Sequence, residues 1–172
     1  MNAAVRFSAG FKSGGFTYLP EGSDGPVLIA KYPPITSETR FNALSVGVKC
    51  RAAGEQTNPN CVSFVHPDKP GWYYVARDDG KFYFEPECNP TKPETFDEDT
   101  SFILTNEWFD GFGSAESLSM RGFYIIAGVD GFERLGEFED TPEFKNSASV
   151  IVIDYSTKGQ SVLWSYVHIM NC

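Results

Sequence analysis

Histidine is nearly absent from this chain, with only His66 and His168 among 172 residues. Neither has a second histidine or a cysteine at metal-ligand spacing, and neither sits beside an identifiable nucleophile. No metal site and no general-base pair is expected from them. Basic residues are also sparse, 14 Lys and Arg against 23 Asp and Glu, and they are scattered along the chain. A net charge of -9 without a basic cluster argues against nucleic acid as a partner. No apolar run approaches the ~20 residues of a membrane helix, so no membrane insertion is expected. A signal peptide is missing from Met1 onward. There is no Asn-x-Ser/Thr sequon with an allowed middle residue, because Asn89 precedes proline. Nucleophile elbows, zinc-protease helices, phosphate loops and dinucleotide glycine patterns are all lacking. Nothing singles out two of the 23 acidic residues as a glycoside-cleaving pair. A non-catalytic protein without a cofactor is the expectation.

What the chain has is internal repetition. Asp24-Gly25, Asp79-Gly80 and Asp130-Gly131 each follow a glycine-aromatic step, at Gly15-Phe16, Gly71-Trp72 and Gly122-Phe123. Asp-Gly between two apolar runs is a hairpin signal, because tight turns favour residues that accept positive φ. Further on, Ile35 and Phe41, Phe96 and Phe102, and Phe144 and Val150 recur at one spacing downstream of their own hairpins. A unit of roughly 50 residues with several short strands cannot bury its apolar faces alone, so three copies should close around one core.

Strands are expected at 6–8, 16–19, 27–30 and 41–44, at 62–65, 72–75, 82–84 and 102–104, and at 116–119, 123–126, 133–135 and 150–153. Twelve strands in three repeats, approximately 5–49, 61–111 and 114–155, define an all-β, β-trefoil fold for a single domain spanning 1–172. Residues 161–169 alternate well enough for an extra C-terminal strand within a closing segment 161–172.

Four cysteines, Cys50, Cys61, Cys88 and Cys172, include no Cys-x-x-Cys pair. Cys50 and Cys61 bracket a polar loop without turn order of its own, which a disulfide would staple. Cys88 and Cys172 could pair by elimination; two buried free thiols are the alternative. Disulfides would place the chain in an extracellular or secreted setting.

Residues 61–104, with Pro70-Gly71-Trp72-Tyr73-Tyr74, Phe82-Tyr83-Phe84-Glu85-Pro86 and Phe96-Asp97-Glu98-Asp99-Thr100-Ser101-Phe102, resemble a repeat of the arabinofuranose-binding trefoil modules appended to α-L-arabinofuranosidases. The third repeat is similar more loosely, through Gly122-Phe123-Tyr124 and the run from Phe144 to Val150; the first matches only through internal symmetry. The resemblance implies a shallow sugar pocket in each repeat. Each pocket would be built from a histidine after the glycine-aromatic strand, an aspartate before the Phe-ending strand, and an aromatic ring. Asp99 stands at the aspartate position of the second repeat, against Glu38 and Ser147 in the other two; the histidine position holds Ala76 and Ala127. A carbohydrate-binding, lectin-like module follows, with a degenerate pocket in the second repeat formed by Asp99 with Trp72, Tyr73 or Tyr83. Aromatic faces and carboxylates suit the C–H and O–H surfaces of a sugar.

Protein recognition is the rival reading, as a secreted ligand, receptor-binding or protease-inhibitor-like trefoil. Residues 106–113 would form a loop exposing Trp108, Phe109 and Phe112, residue types that anchor interfaces. The partner is therefore a glycan or an extracellular protein. Other domains of a larger parent protein are a further possibility.

Overall fold

Two of the three expected hairpins are built on the same hydrogen bonds in a computed structural model, which describes residues 3–5, 8–9, 16–20, 22–30, 39–40, 45–66, 68–109 and 112–151. Strands β8 (Trp72–Ala76) and β9 (Phe82–Pro86) form one hairpin, and β12 (Phe123–Ala127) and β13 (Glu133–Glu137) form the other. Trp72 N–H donates to Lys69 and Phe123 N–H to Met120; Arg77 donates to Lys81 and Gly128 to Phe132; Glu87 donates to Gly71 and Phe138 to Gly122. Every pair keeps one offset along the chain, so the repeat is physical as well as textual. Gly80 and Gly131 take φ of 77° and 85°, the left-handed conformation that the Asp-Gly signal anticipates.

The first hairpin, β3 (Phe16–Pro20) with β4 (Leu28–Ala30), departs from that rule. Its positive-φ glycine is Gly22 (φ 76°), not Gly25. Gly25 precedes Pro26, which biases it toward extended backbone, and its N–H is taken up by Ser23 Oγ at 3.0 Å.

The remaining strands wrap a barrel. They are β1 (Ala3–Val5), β2 (Ser8–Ala9), β6 (Ser45–Lys49), β7 (Cys61–Val65), β10 (Phe102–Phe109), β11 (Phe112–Ser117) and β14 (Val150–Ile151), whereas β5 (Thr39–Arg40) pairs β3 beside the first hairpin. Antiparallel pairing runs β6 to β7 to β10 to β11 to β14 to β2, while β1 pairs β6. The N-terminal segment thus closes the ring by reaching both neighbours, which removes the exposed edges of an open sheet. Three four-stranded copies around one barrel, each with a hairpin, make the fold a β-trefoil. Among the described residues β1, β5 and β6 are strands beyond those expected. The expected strands at 41–44 and 161–169 lie outside the described residues.

Two short helices, α1 (Phe96–Asp99) and α2 (Pro142–Ala148), precede the last strands of the second and third copies. Thr141 caps α2 by accepting from Phe144 N–H at 3.1 Å, with Pro142 at its first turn. Their common role is to bury Phe96 and Phe144, the aromatics that opened each six-residue spacing.

The segment 106–113 is not a loop. β10 runs through Phe109 and β11 starts at Phe112, with Phe109 paired to Phe112, so only Asp110-Gly111 separates them. This is a fourth Asp-Gly between aromatic runs, and the pairing carries the barrel from one repeat into the next. Trp108, Phe109 and Phe112 therefore sit in paired strands; the directions of their side chains lie outside the described residues.

The core draws on all three copies: Leu19 and Val27, then Val62, Phe64, Tyr74, Phe82, Phe84 and Phe102, then Ala115 and Ile125. Tyr74 stacks on Phe82 with ring centroids 4.5 Å apart. The cysteine loop also has more order than its sequence suggests. A single 3-10 turn at Ala53–Glu55 and successive backbone bonds from Glu55 to Ala52, Asn58 to Glu55 and Cys61 to Asn58 carry the chain to the disulfide between Cys50 and Cys61. Asn58 supplies the missing turn chemistry, accepting from Asn60 N–H at 3.0 Å through its side chain. Cys88 is disulfide-bonded as well; Cys172, its expected partner, lies outside the described residues.

Candidate functional site

Alternation along β8 and β9 sorts the aromatic residues into two layers. Phe82 and Phe84 point into the main core and Tyr83 to the opposite face. Trp72 follows Tyr74 toward the core, packs against it half-buried, and carries Lys69 Nζ 4.8 Å from its ring. Tyr73 belongs to a second buried cluster with Val48, Val65 and Phe96. The Arg51 guanidinium lies 4.5 Å from the Tyr73 ring, and burial pushes the Tyr73 phenol up. Of the four residues expected to hold a sugar, the fold brings Tyr83 and Asp99 to one cleft. Trp72 and Tyr73 are packing residues away from it.

That cleft encloses about 520 Å3 between the β8–β9 hairpin and the strap of chain 86–99 that leads into and through α1. A volume of this order is typical of a small-ligand site. Its wall is a linked set on the hairpin's outer face. Tyr83 Oη donates to Asp79 Oδ2 at 2.6 Å, and the Arg77 guanidinium lies 3.7 Å from the Tyr83 ring centroid. Arg77 Nε in turn donates to Glu85 Oε1. Tyr83 is only 8% exposed beneath Arg77, so the half-exposed guanidinium, a flat plate backed by the ring, supplies most of the accessible surface of this pair.

Across the cleft, the strap contributes Asn89, Lys92, Phe96 and Asp99. Thr95 Oγ1 donates to Asp99 Oδ2 at 2.8 Å, which fixes the carboxylate's orientation. No hydrogen bond is made by its Oδ1 among the described residues. Asn89 is held by its own turn, accepting from the Thr91 N–H and hydroxyl.

The hydrogen bond from Tyr83 holds the Asp79 carboxyl below its ordinary value, and the same bond raises the Tyr83 phenol. The sign follows from charge: an ionised Asp79 accepts best, so the link is fully made above the ordinary carboxyl range and is lost as pH falls through the depressed Asp79 value. Asp79→Asn should return the Tyr83 phenol toward about 10, read by ultraviolet titration of the tyrosines. A phenol that does not move downward would show that the bond is not made in solution.

The third copy lacks this equipment. Ser147, at the Asp99 position, folds its hydroxyl back onto Phe144 O at 2.8 Å. Asp130 is committed to Arg134, which holds its carboxyl below the usual range. Glu38, in the first copy, lies outside the described residues.

Sequence reasoning missed Arg77, Asp79, Glu85, Asn89 and Lys92. For the hairpin members a signal was present: counted by twos from Tyr73 and from Tyr83, Arg77 and Glu85 fall on the face that Tyr83 occupies. Nothing comparable marks Asn89 or Lys92, since the strap has no period to count.

No family model matches this chain, and no curated protein matches it. Solved structures do. An arabinofuranosidase complexed with arabinofuranosyl-alpha-1,2-xylobiose aligns with a TM-score of 0.59 at 16% identity, over 88% of this chain and 30% of its own. An endo-β-galactosidase from Clostridium perfringens that releases GlcNAcα1-4Gal aligns with a TM-score of 0.58 at 16% identity, over 90% of this chain and 33% of its own. Chicken interleukin 1 beta aligns with a TM-score of 0.57 at 12% identity, over 88% of this chain and 94% of the cytokine. The chain thus spans about a third of each glycosidase and nearly the whole cytokine. At these identities the likeness is one of fold.

Proposed function

We propose that the protein is a non-catalytic, extracellular glycan-binding module whose site is the cleft of the second repeat. The observation that carries the reading is the convergence of Asp99 with the Tyr83–Arg77 pair on one cavity of ligand size. A sugar's C–H face fits the aromatic-guanidinium wall, and its hydroxyls fit the carboxylate opposite. The fold likeness to two carbohydrate-acting enzymes adds support, since each contains this fold as a fraction of its length. The carboxylates of the cleft support binding over hydrolysis. Glycoside cleavage wants one acid with a raised pKa, whereas the bond from Tyr83 holds Asp79 low. The Cys50–Cys61 disulfide fits an oxidising compartment.

The test is a glycan array on the oxidised protein, with Asp99→Ala as the paired control. Binding to arabinose- or galactose-bearing glycans is expected, and the variant should weaken it about tenfold or more, the worth of a charged hydrogen bond. Its stability should change by less than about 0.5 kcal/mol, because Asp99 is partly exposed and among the described residues its side chain bonds only the exposed Thr95. An array without binding would favour the second reading, protein recognition. One observation speaks for that alternative: this chain covers 94% of a stand-alone cytokine.

A further inference from the structure

A second cavity of about 420 Å3 lies on the far side of Asp99. It sits where the second copy meets the third, floored by Phe102 and Ser117, with Phe123 and Leu135 from the third hairpin and with Ser119 and Met120 also lining it. Four residues, Ala76, Arg77, Asp78 and Asp99, line both this cavity and the one against Tyr83. The two cavities therefore share a wall, of which Asp99 is part.

We propose that the two cavities act as one groove that holds an extended neutral oligosaccharide, with one unit against Tyr83 and Arg77 and the next past Asp99 toward Phe123 and Met120. The inference rests on the glycan-binding reading above and goes further, assigning recognition to the interior of a chain rather than to a single terminal sugar.

Three observations carry it. First, the second cavity sets an apolar face beside hydroxyls. Phe123 is half-buried, Met120 is 46% exposed, and Ser117 and Ser119 place their hydroxyls 3.3 Å apart. Second, each half is of ligand size on its own, so a single sugar fills only one of them. Third, four carboxylates, Asp78, Asp79, Glu85 and Asp99, outnumber Arg77 and Lys92 along the groove, and Arg77 is already paired with Glu85. Like-charge repulsion therefore works against uronic or sulfated chains.

The experiment is calorimetric titration of the oxidised protein with arabino- and galacto-oligosaccharides, from the single sugar to the tetrasaccharide, repeated on Ser119→Trp and Met120→Glu. Both positions are exposed and line only the second cavity. Affinity should rise about tenfold or more with chain length, and both variants should erase that gain while holding single-sugar affinity within about twofold. Affinity independent of length, or a length gain that survives both variants, overturns the extended groove and leaves a single-sugar site. Oligogalacturonates that bind as tightly as galactan oligomers overturn the preference for a neutral chain. Failure of every sugar at every length overturns the glycan-binding reading itself and this inference with it.

Discussion

Phe82→Ala should lower the melting temperature by about 10 °C and abolish glycan binding at temperatures where the wild type still binds. Phe82 is fully buried, stacked on Tyr74 at 4.5 Å and 6.0 Å from the Phe102 ring. Removing a buried phenyl ring costs about 3–5 kcal/mol, through lost transfer energy and the cavity left behind. That is a large fraction of the roughly 5–15 kcal/mol that holds a domain together. The effect reaches the cleft because Phe82 and Tyr83 are neighbours on β9 facing opposite ways: a strand that loosens on its core face cannot hold its outer face in place. Phe82 O also accepts from Val27 N–H at 2.8 Å, so the first hairpin feels the same loss. Differential scanning calorimetry reads the first effect and calorimetric titration the second. A melting point moved by less than about 2 °C would mean the core cluster repacks freely, and would undo the link between core and cleft.

Replacing both Cys50 and Cys61 by alanine should cost about 2–3 kcal/mol in chemical denaturation, the chain-entropy value for so short a loop. The cysteines are eleven positions apart, and both are buried beside Ala52 and Ile103. Alanine is the informative replacement because serine would bury a hydroxyl in that cluster. A consequence beyond stability is expected too. Arg51 follows Cys50 directly and donates to Glu87 and, at 3.0 Å, to Asp97, both on the strap that walls the cleft. Glu87 is 2% exposed, so this contact is inside the protein and is little screened. Freeing the loop should let the strap shift and weaken glycan binding in step with the lost stability. Titration of the double variant and of the reduced protein checks this together with the denaturation curve. A loss under about 0.5 kcal/mol would show that the turns alone hold the loop, as surface changes do.

The parts of the fold that were legible in the sequence are those whose residues act locally. Asp79-Gly80 and Asp130-Gly131 announce their hairpins because the turn needs positive φ and glycine supplies it. Asp24-Gly25 marks the right place with the wrong glycine, since Pro26 changes what its neighbour can do. The β10–β11 pairing was missed although Asp110-Gly111 carries the same signal, because clustered aromatics beside glycines also suit an exposed loop. α1 and α2 are too short for a helical period to show, although Thr141-Pro142 is a start signal that sequence alone offers.

The candidate site was readable only where resemblance and alternation pointed. Asp99 came from its place before Phe102 and Tyr83 from its place in an aromatic strand. Trp72 and Tyr73 carry the same residue chemistry as Tyr83, and which ring faces the core or the cleft depends on packing beneath the strand. Burial against Val48, Val65 and Phe96 claims Tyr73 for a second cluster that no local pattern reveals.

The three hairpins share a further property. Val27 N–H donates to Phe82 O and Glu133 N–H to Val27 O; Ile29 donates to Gly131 O and Leu135 to Gly80 O; Arg134 reaches Asp79 O at 2.9 Å. The contacts run from the first hairpin to the second, the second to the third and the third back to the first, like three hands gripping wrists. No tip can swing out without pulling on the other two, so the carbonyl of Asp79, beside the phenol it steadies, is fixed from across the molecule. The first and third hairpins thus act as a frame for the second, whose outer face walls the cleft. A hairpin fixed in this way would leave little ordering entropy to oppose binding at the proposed cleft.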